Sequence, residues 1–248
     1  MTNERLRGAI ATHSLTLSDV AERIDVDPKT VERWVSTGRL PHRRHRWAAA
    51  KLLDTDEAYL WPETLNDSAA TASSKAEIVS IYPQRCLVPS ELWSVLLDGA
   101  QHAIDVLVYG GTFLIDEHPN LAQQLTDKAD EGARVRFLLG DPHSAAVAAR
   151  GAEEAIGEAM AARIEMTRHA LRGTIGYPGV EIRSHVTTLY NSIFRFDEDM
   201  LVNMHIHGSR APQNPVMHLR RVAGGHLFDR YLASLDRIFA DAEPVPAG

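Results

Sequence analysis

A single cysteine, Cys86, among 248 residues excludes an internal disulfide framework and fits a reducing, cytoplasmic setting. The opening MTNERLRGAI is polar and charged, unlike the basic-then-apolar pattern of a secretory signal. No uninterrupted apolar run approaches the length of a membrane span, so no membrane partner is expected. An excess of positive charge is also lacking, with 26 Lys/Arg against 33 Asp/Glu and a net charge of −7. Such a balance disfavours a chain that binds polyanions over its whole surface. Apolar content of 44% and charged content of 24% are those of ordinary globular protein, and the length allows two domains.

Positive charge is instead concentrated. Residues 1–60 hold ten Lys/Arg against nine Asp/Glu, while the remainder holds 16 against 24. Between Arg33 and Leu53, Arg33, Arg39, Arg43, Arg44, Arg46 and Lys51 meet no acid. Contact with phosphates depends on local charge, because each neutralised phosphate releases counterions.

Within that region the stretch LSDVAERIDVDPKTVERWVSTGR, Leu17–Arg39, has two helical periods. Val20, Ala21 and Ile24 form the inner face of one helix. Asp27 and Pro28 are an N-cap and a first-turn proline. Val31, Trp34 and Val35 form the inner face of a second helix, which Gly38 terminates. Lys29, Thr30, Glu32, Arg33, Ser36 and Thr37 remain outward. Short polar and basic side chains of this kind reach base edges and phosphates in a major groove. The alternative is an ordinary helical hairpin. This stretch resembles the lambda-repressor-like (Xre-type) helix-turn-helix of bacterial regulators over roughly Met1–Pro62, with Asp25 where the turn usually carries glycine. The resemblance implies double-stranded DNA as partner. Lys29, Thr30, Arg33, Ser36, Thr37 and Arg39 are then candidate contacts on and after the second helix. Arg43, Arg44 and Arg46 are candidate phosphate contacts in a basic turn preceding a helix over Trp47–Leu53.

Residues 63–76 are rich in Ser, Thr and Ala without apolar periodicity, and read as a flexible linker. From Glu77 strands and helices alternate: strands over 78–82, 103–109, 134–139, 179–186, 189–196, 200–207 and 216–222. Helices fall over 90–100, 120–131, 145–171 and 227–240, the third with breaks at Gly151 or Gly157. The β-α-β succession through residue 139 implies a mostly parallel, covered sheet, and Asp197-Glu198-Asp199 reads as a turn from which the strand over 200–207 returns. Residues 241–248, with two prolines, read as a flexible tail.

The late hairpin carries a second resemblance. The phospholipase D-like fold places a His, a Lys two residues on, and an Asp five residues after the Lys, on one strand and its turn. On YNSIFRFD, Asp197 occupies the Asp position, Tyr190 replaces the nucleophilic His and Ser192 replaces the Lys. The family's further small polar residues fall at His205 and His207. GDPHS at Gly140–Ser144 and MLVNMHIHG at Met200–Gly208 extend the likeness to regulators that join such a helix-turn-helix to an inactive domain of this fold. The resemblance implies ligand sensing rather than turnover.

By strand alternation Tyr190, Ser192, Phe194 and Phe196 share one face; Asn191, Ile193, Arg195 and Asp197 share the other. Asn203, His205 and His207 share a face of the return strand. One reading is a solvent-facing hairpin. The other is a pocket at the sheet end, with His205, His207 and Arg195 or Arg221 holding an anion. Tyr190, Asn191, Ser192, Asp197 and Asn203 border it. Asp141 and Ser144, at a strand C-terminus, are either further lining or helix caps. Arg150, Glu153 and Glu154 are either rim or solvated surface. His205-Ile206-His207 permits two metal ligands, but no Cys pair or helical His pair accompanies them, and no metal or cofactor is expected.

The sequence thus predicts an all-α N-terminal helix-turn-helix domain (1–62), a linker (63–76), an α/β phospholipase D-like domain (77–240) and a tail. It predicts a homodimeric DNA-binding regulator sensing a small anionic ligand. The alternatives are a phosphodiesterase or nuclease with a rearranged His site, and a purely architectural dimerisation domain.

Overall fold

The computed structural model describes residues 2–62 and 74–246. Most of the expected linker, residues 63–73, lies outside the described residues, and 74–76 form a helical turn. The chain divides into two compact units, Met1–Ser68 and Ala69–Gly248.

The first unit is helical: α1 (Glu4–Thr12), α2 (Leu17–Arg23), α3 (Pro28–Thr37), α4 (Arg43–Leu52) and α5 (Glu57–Leu60). Each boundary has a local cause. Asn3 accepts the Leu6 N–H at 2.9 Å, and Thr16 and Asp19 close a reciprocal capping box on α2. Asp27 accepts the Lys29 N–H at the start of α3, and Gly38 ends it in the left-handed conformation with φ 68°. Asp25 takes φ 56° in the turn between α2 and α3, a conformation that costs a non-glycine residue about 1 kcal/mol. Leu6, Ile10, Val20, Ala21, Val31, Trp34, Val35, Leu53, Leu60 and Trp61 form a closed core. Trp34 and Trp61 meet edge to face at 6.5 Å. The basic residues 43–46 are the first turn of α4 itself, not a turn preceding a helix at Trp47.

The second unit is an eight-stranded sheet: β1 (Ile78–Tyr82), β2 (Ala103–Leu107), β3 (Arg134–Gly140), β4 (Val180–His185), β5 (Asn191–Phe196), β6 (Asp199–Met204), β7 (Val216–Arg220) and β8 (Glu243–Pro244). Its order is β1-β7-β6-β5-β2-β3-β4-β8. Only β2–β3 and β3–β4 are parallel. The other pairings are antiparallel, so the expectation of a mostly parallel sheet is corrected. The β5-β6-β7 meander inserts against β2, where a further crossover strand would have extended a parallel sheet. The expected flexible tail is also corrected: Glu243 and Pro244 pair with β4, opposite Ser184 and Arg183. Residues 247 and 248 lie outside the described residues.

Helices α6 (Ser90–Gly99), α7 (Thr112–Glu117), α8 (Leu121–Asp130), α9 (Ala145–Glu153), α10 (Ala159–Ala170) and α11 (Leu227–Asp241) accompany the strands. Gly157, at φ 51°, separates α9 from α10, whereas Gly151 lies inside α9. The two sheet faces are used differently. On one, Phe194 meets Trp93 of α6 and Phe113 of α7, both edge to face. On the other, Phe239 of α11 lies beneath the guanidiniums of Arg136 and Arg183.

Candidate functional sites

In the first unit α3 buries Val31, Trp34 and Val35 and leaves Lys29, Glu32, Arg33, Ser36 and Thr37 exposed, with Thr30 half-buried. Thr37 donates its hydroxyl to the Arg33 carbonyl at 2.7 Å. Arg39, Arg43 and Arg44 are exposed. Arg46 is not free: its Nε donates to Glu57 at 2.7 Å and its Nη1 to the Pro41 carbonyl at 3.0 Å. It ties α4 to α5 and is removed from the candidate phosphate contacts. Lys51 lies 5.1 Å from the ring centroid of exposed Trp47.

In the second unit a cleft of about 440 Å³ opens beside the ends of β2 and β5. Ser192, on the Phe194 face of β5, enters it together with His205. The Ser192 hydroxyl lies 3.0 Å from His205 Nε2, and His205 Nδ1 lies 3.1 Å from the Leu189 carbonyl. A carbonyl only accepts, so Nδ1 carries the proton and Nε2 accepts from Ser192. Burial, reinforced by the charge of Arg150, pulls His205 down to about 4, and the ring is neutral at neutral pH. His205 stacks on Tyr109 at 5.8 Å. The Tyr109 hydroxyl accepts the Leu189 N–H at 2.8 Å, a second bond to the same residue. Gly111 is on the cleft wall with φ 75°, and a Cβ there would stand 2.9 Å from Val108 Cγ2. Any larger residue would be strained twice.

Two cations on the cleft wall, Arg85 and Arg163, have no sequence signal of their own. Arg85 begins the 3-10 turn Arg85–Leu87 between β1 and α6. Its guanidinium stacks on Phe113 at 4.0 Å, and burial lowers it to about 10. Arg163 lies on α10 with its Cβ packed 3.4 Å from where a Gly110 Cβ would be. Neither guanidinium forms an ion pair or side-chain hydrogen bond among the described residues.

Most of the other residues expected to bind ligand have structural work. Arg195 is on the opposite face, where it meets buried Asp105 at 2.9 Å; Arg136 meets the same carboxylate at 2.6 Å. Asp197 accepts the backbone N–H groups of Gln101, His102 and Ala103, each at 2.8 Å. Arg221 pairs on the surface with Asp229 at 2.9 Å. Asp141 accepts the His143 N–H, and Ser144 caps α9 through the Val147 N–H. Asn203 is fully buried and donates to the carbonyls of Asn214 and Pro215. Asn191 is half-buried opposite Met204, and Tyr190 is 81% exposed outside the cleft lining. β6 ends at Met204, so His205 and His207 lie in the following loop and not on a common strand face. His207 is exposed, 3.5 Å from Glu153. Arg150 is buried and not on the solvated surface: it pairs with Glu154 at 2.8 Å and donates to the Ser209 carbonyl at 3.0 Å. It thereby fastens α9 to the loop carrying His205.

Residues 14–57 match the family described as a helix-turn-helix domain, and the first unit carries that motif in α2 and α3. No curated protein matches the chain. Among solved structures, the chain is similar to TrmBL2, an archaeal chromatin protein described as showing a novel mode of DNA binding. Identity is 14% and the TM-score 0.46, over 74% of this chain and 60% of that one. It is also similar to Nuc, a phospholipase D family member from Salmonella typhimurium. There identity is 13% and the TM-score 0.39, over 62% of this chain and 90% of that one. The chain therefore spans about 60% of the length of TrmBL2. Among the described residues no helix is long and apolar enough to cross a membrane.

Proposed function

We propose that the protein is a cytoplasmic, sequence-specific DNA-binding transcription regulator of the lambda-repressor type, acting as a homodimer. Its second unit is a phospholipase D-like domain that binds a small anionic ligand in the Ser192–His205 cleft without turning over phosphodiesters. The observation that carries the DNA reading is α3. Its inner face is buried, its outer face offers Lys29, Arg33 and Ser36, and exposed Arg39, Arg43 and Arg44 follow at once. Arg43 and Arg44 stand at the N-terminal turn of α4, where the helix dipole disfavours cations by about 0.3–1 kcal/mol. Retaining them there at a cost to stability supports a use outside the fold.

One such motif makes few base contacts, and motifs of this kind commonly act in pairs on half-sites about one helical turn apart. Selection of bound duplexes from a random pool by the full chain is expected to enrich paired half-sites at that spacing. Sedimentation of the full chain should give a dimer. Failure to enrich any sequence, with binding that follows salt alone, overturns the regulator reading; a monomer overturns the paired-site reading.

The reading of the second unit rests on Tyr190 and Ser192 standing where phosphodiester chemistry of the resembled family needs His and Lys. Metal-independent hydrolysis of a simple phosphodiester by the full chain should stay at background. A rate abolished by His205→Ala would restore the hydrolase alternative.

A further inference from the structure

An unpaired guanidinium on a cleft wall calls for an anion. Removing a cation from water is costly, and proteins offset this with a partner carboxylate or a bound ligand. Arg85 is half-buried and has a ring for a neighbour but no acceptor among the described residues. Arg163 lines the same cleft but is exposed to solvent, so it adds positive charge at the mouth and not a desolvated cation.

The charge balance of the wall sets how much negative charge it takes. Glu154 shares buried Arg150 with Glu153, at 2.8 and 3.1 Å, and its charge also acts on Arg85. Asp116 is the other acid on the wall. His205 contributes no charge, because its Nε2 accepts from Ser192 and burial keeps the ring neutral. Two arginines thus face two acids on the wall. A monoanion adds one negative charge to this balance, while a phosphate dianion would add two beside Asp116 and Glu154.

Most of the remaining wall is apolar, with Val108, Phe113, Met160, Met166 and the ring of Tyr109, and the glycine pair at 110 and 111 and Thr112 beside them. A volume of about 440 Å³ is near the lower end for small-molecule sites and suits a body of on the order of ten to fifteen non-hydrogen atoms. The polarizable methionines and the two rings favour a flat or compact apolar body over a sugar or nucleotide.

We propose that this cleft is a carboxylate site, taking an organic monoacid with an aromatic or compact apolar body whose carboxylate is held by Arg85 and Arg163. The proposal rests on the reading of the second unit as ligand-binding. It differs from a phosphodiester site in its anchoring residues as well as in its ligand. Planar guanidinium forks match a carboxylate with two parallel donors. The Ser192 hydroxyl can turn from His205 to donate to the same oxygens.

Binding to the full chain is measured by calorimetry at pH 7 with four probes: cinnamate, phenyl phosphate, inorganic phosphate and benzyl alcohol. Cinnamate is expected to bind more tightly than the other three. Arg85→Gln and Arg163→Gln are each expected to weaken it at least about tenfold. Arg237→Gln, an exposed change on α11, should leave it unchanged. A melting curve verifies that each variant folds; Arg163, being exposed, serves as the second variant should Arg85→Gln fail to fold. Cinnamate binding that survives both substitutions overturns the proposal. Tighter binding of either phosphate overturns the carboxylate assignment and leaves the ligand-binding reading standing. Absence of binding by every probe overturns both.

Discussion

The Glu77 carboxylate accepts the Leu227 N–H at 2.8 Å across 150 residues of chain, and it also accepts the Phe228 N–H. It thereby caps α11 from the residue preceding β1, replacing the local side-chain cap that His226 does not supply. Gly225 makes room: a Cβ there would lie 2.4 Å from the Glu77 carboxyl carbon.

Glu77→Ala should therefore cost about 1–3 kcal/mol of stability, the range of a lost cap with charged hydrogen bonds. Gly225→Ala should cost a similar amount by displacing the same carboxylate. The two effects should not add, and chemical denaturation of both single variants and the double variant measures the coupling. Simple additivity would separate Gly225 from the cap.

Stability should also depend on pH through His205. Its folded value of about 4 lies below the ordinary 6.5, so between these values the unfolded chain binds a proton that the folded chain refuses. The stability contribution is full above about pH 6.5 and falls as pH drops towards 4. His185, lowered by burial, acts in the same direction. Asp197 and Asp199, both lowered, lose their contributions only at still lower pH. Melting temperatures between pH 7.5 and 4.5 should fall, and His205→Asn, which keeps a donor for the Leu189 carbonyl, should flatten the slope. An unchanged slope would assign the effect elsewhere.

On DNA, three arginines should separate cleanly. Arg33→Ala should relax base preference, with about 1–3 kcal/mol of lost discrimination. Arg44→Ala should weaken specific and non-specific duplexes alike and reduce the salt slope by about 1. Arg46→Ala should lower the melting temperature without altering the salt slope, because Glu57 and the Pro41 carbonyl already occupy its guanidinium. A reduced salt slope for Arg46→Ala would return it to the DNA face.

Asp105 is fully buried between Arg136 and Arg195. Asp105→Ala should cost about 3–5 kcal/mol, since Arg136 and Arg195, and the more exposed Arg134 at 3.6 Å, lose their shared carboxylate. Calorimetric binding in the cleft, on the other sheet face, should persist under conditions where the variant is folded. Loss of binding in a folded variant would show the two faces to be coupled.

The helix-turn-helix is legible in the sequence because its determinants are local. Asp27-Pro28 and Gly38 mark the ends of α3, and apolar spacing marks its inner face. The sheet is legible as a set of elements but not as an order. Nothing near Asn191–Phe196 says that this strand pairs with residues 104–107; that choice is made by packing across the whole unit. Ser192 and His205 stand out through the resembled motif, but Arg195 and Asp197, a few residues away, are equally polar and hold the fold together. Arg85 and Arg163 each sit singly, in a loop and on an ordinary helix. Only the fold brings them together.

The pairing of β1 with β7 has a consequence in time. Ile78–Tyr82 is made early, yet its sheet partner, Val216–Arg220, comes more than 130 residues later. At synthesis rates of about 5–20 residues per second, an uncharged apolar strand waits roughly 7–27 seconds for its neighbour. Its edge then depends on chaperones or on transient cover by nearby chain, since long-range pairings form slowly. The strand that opens the second unit is thus among the last to be secured, and the Glu77 cap locks only after α11 has been made.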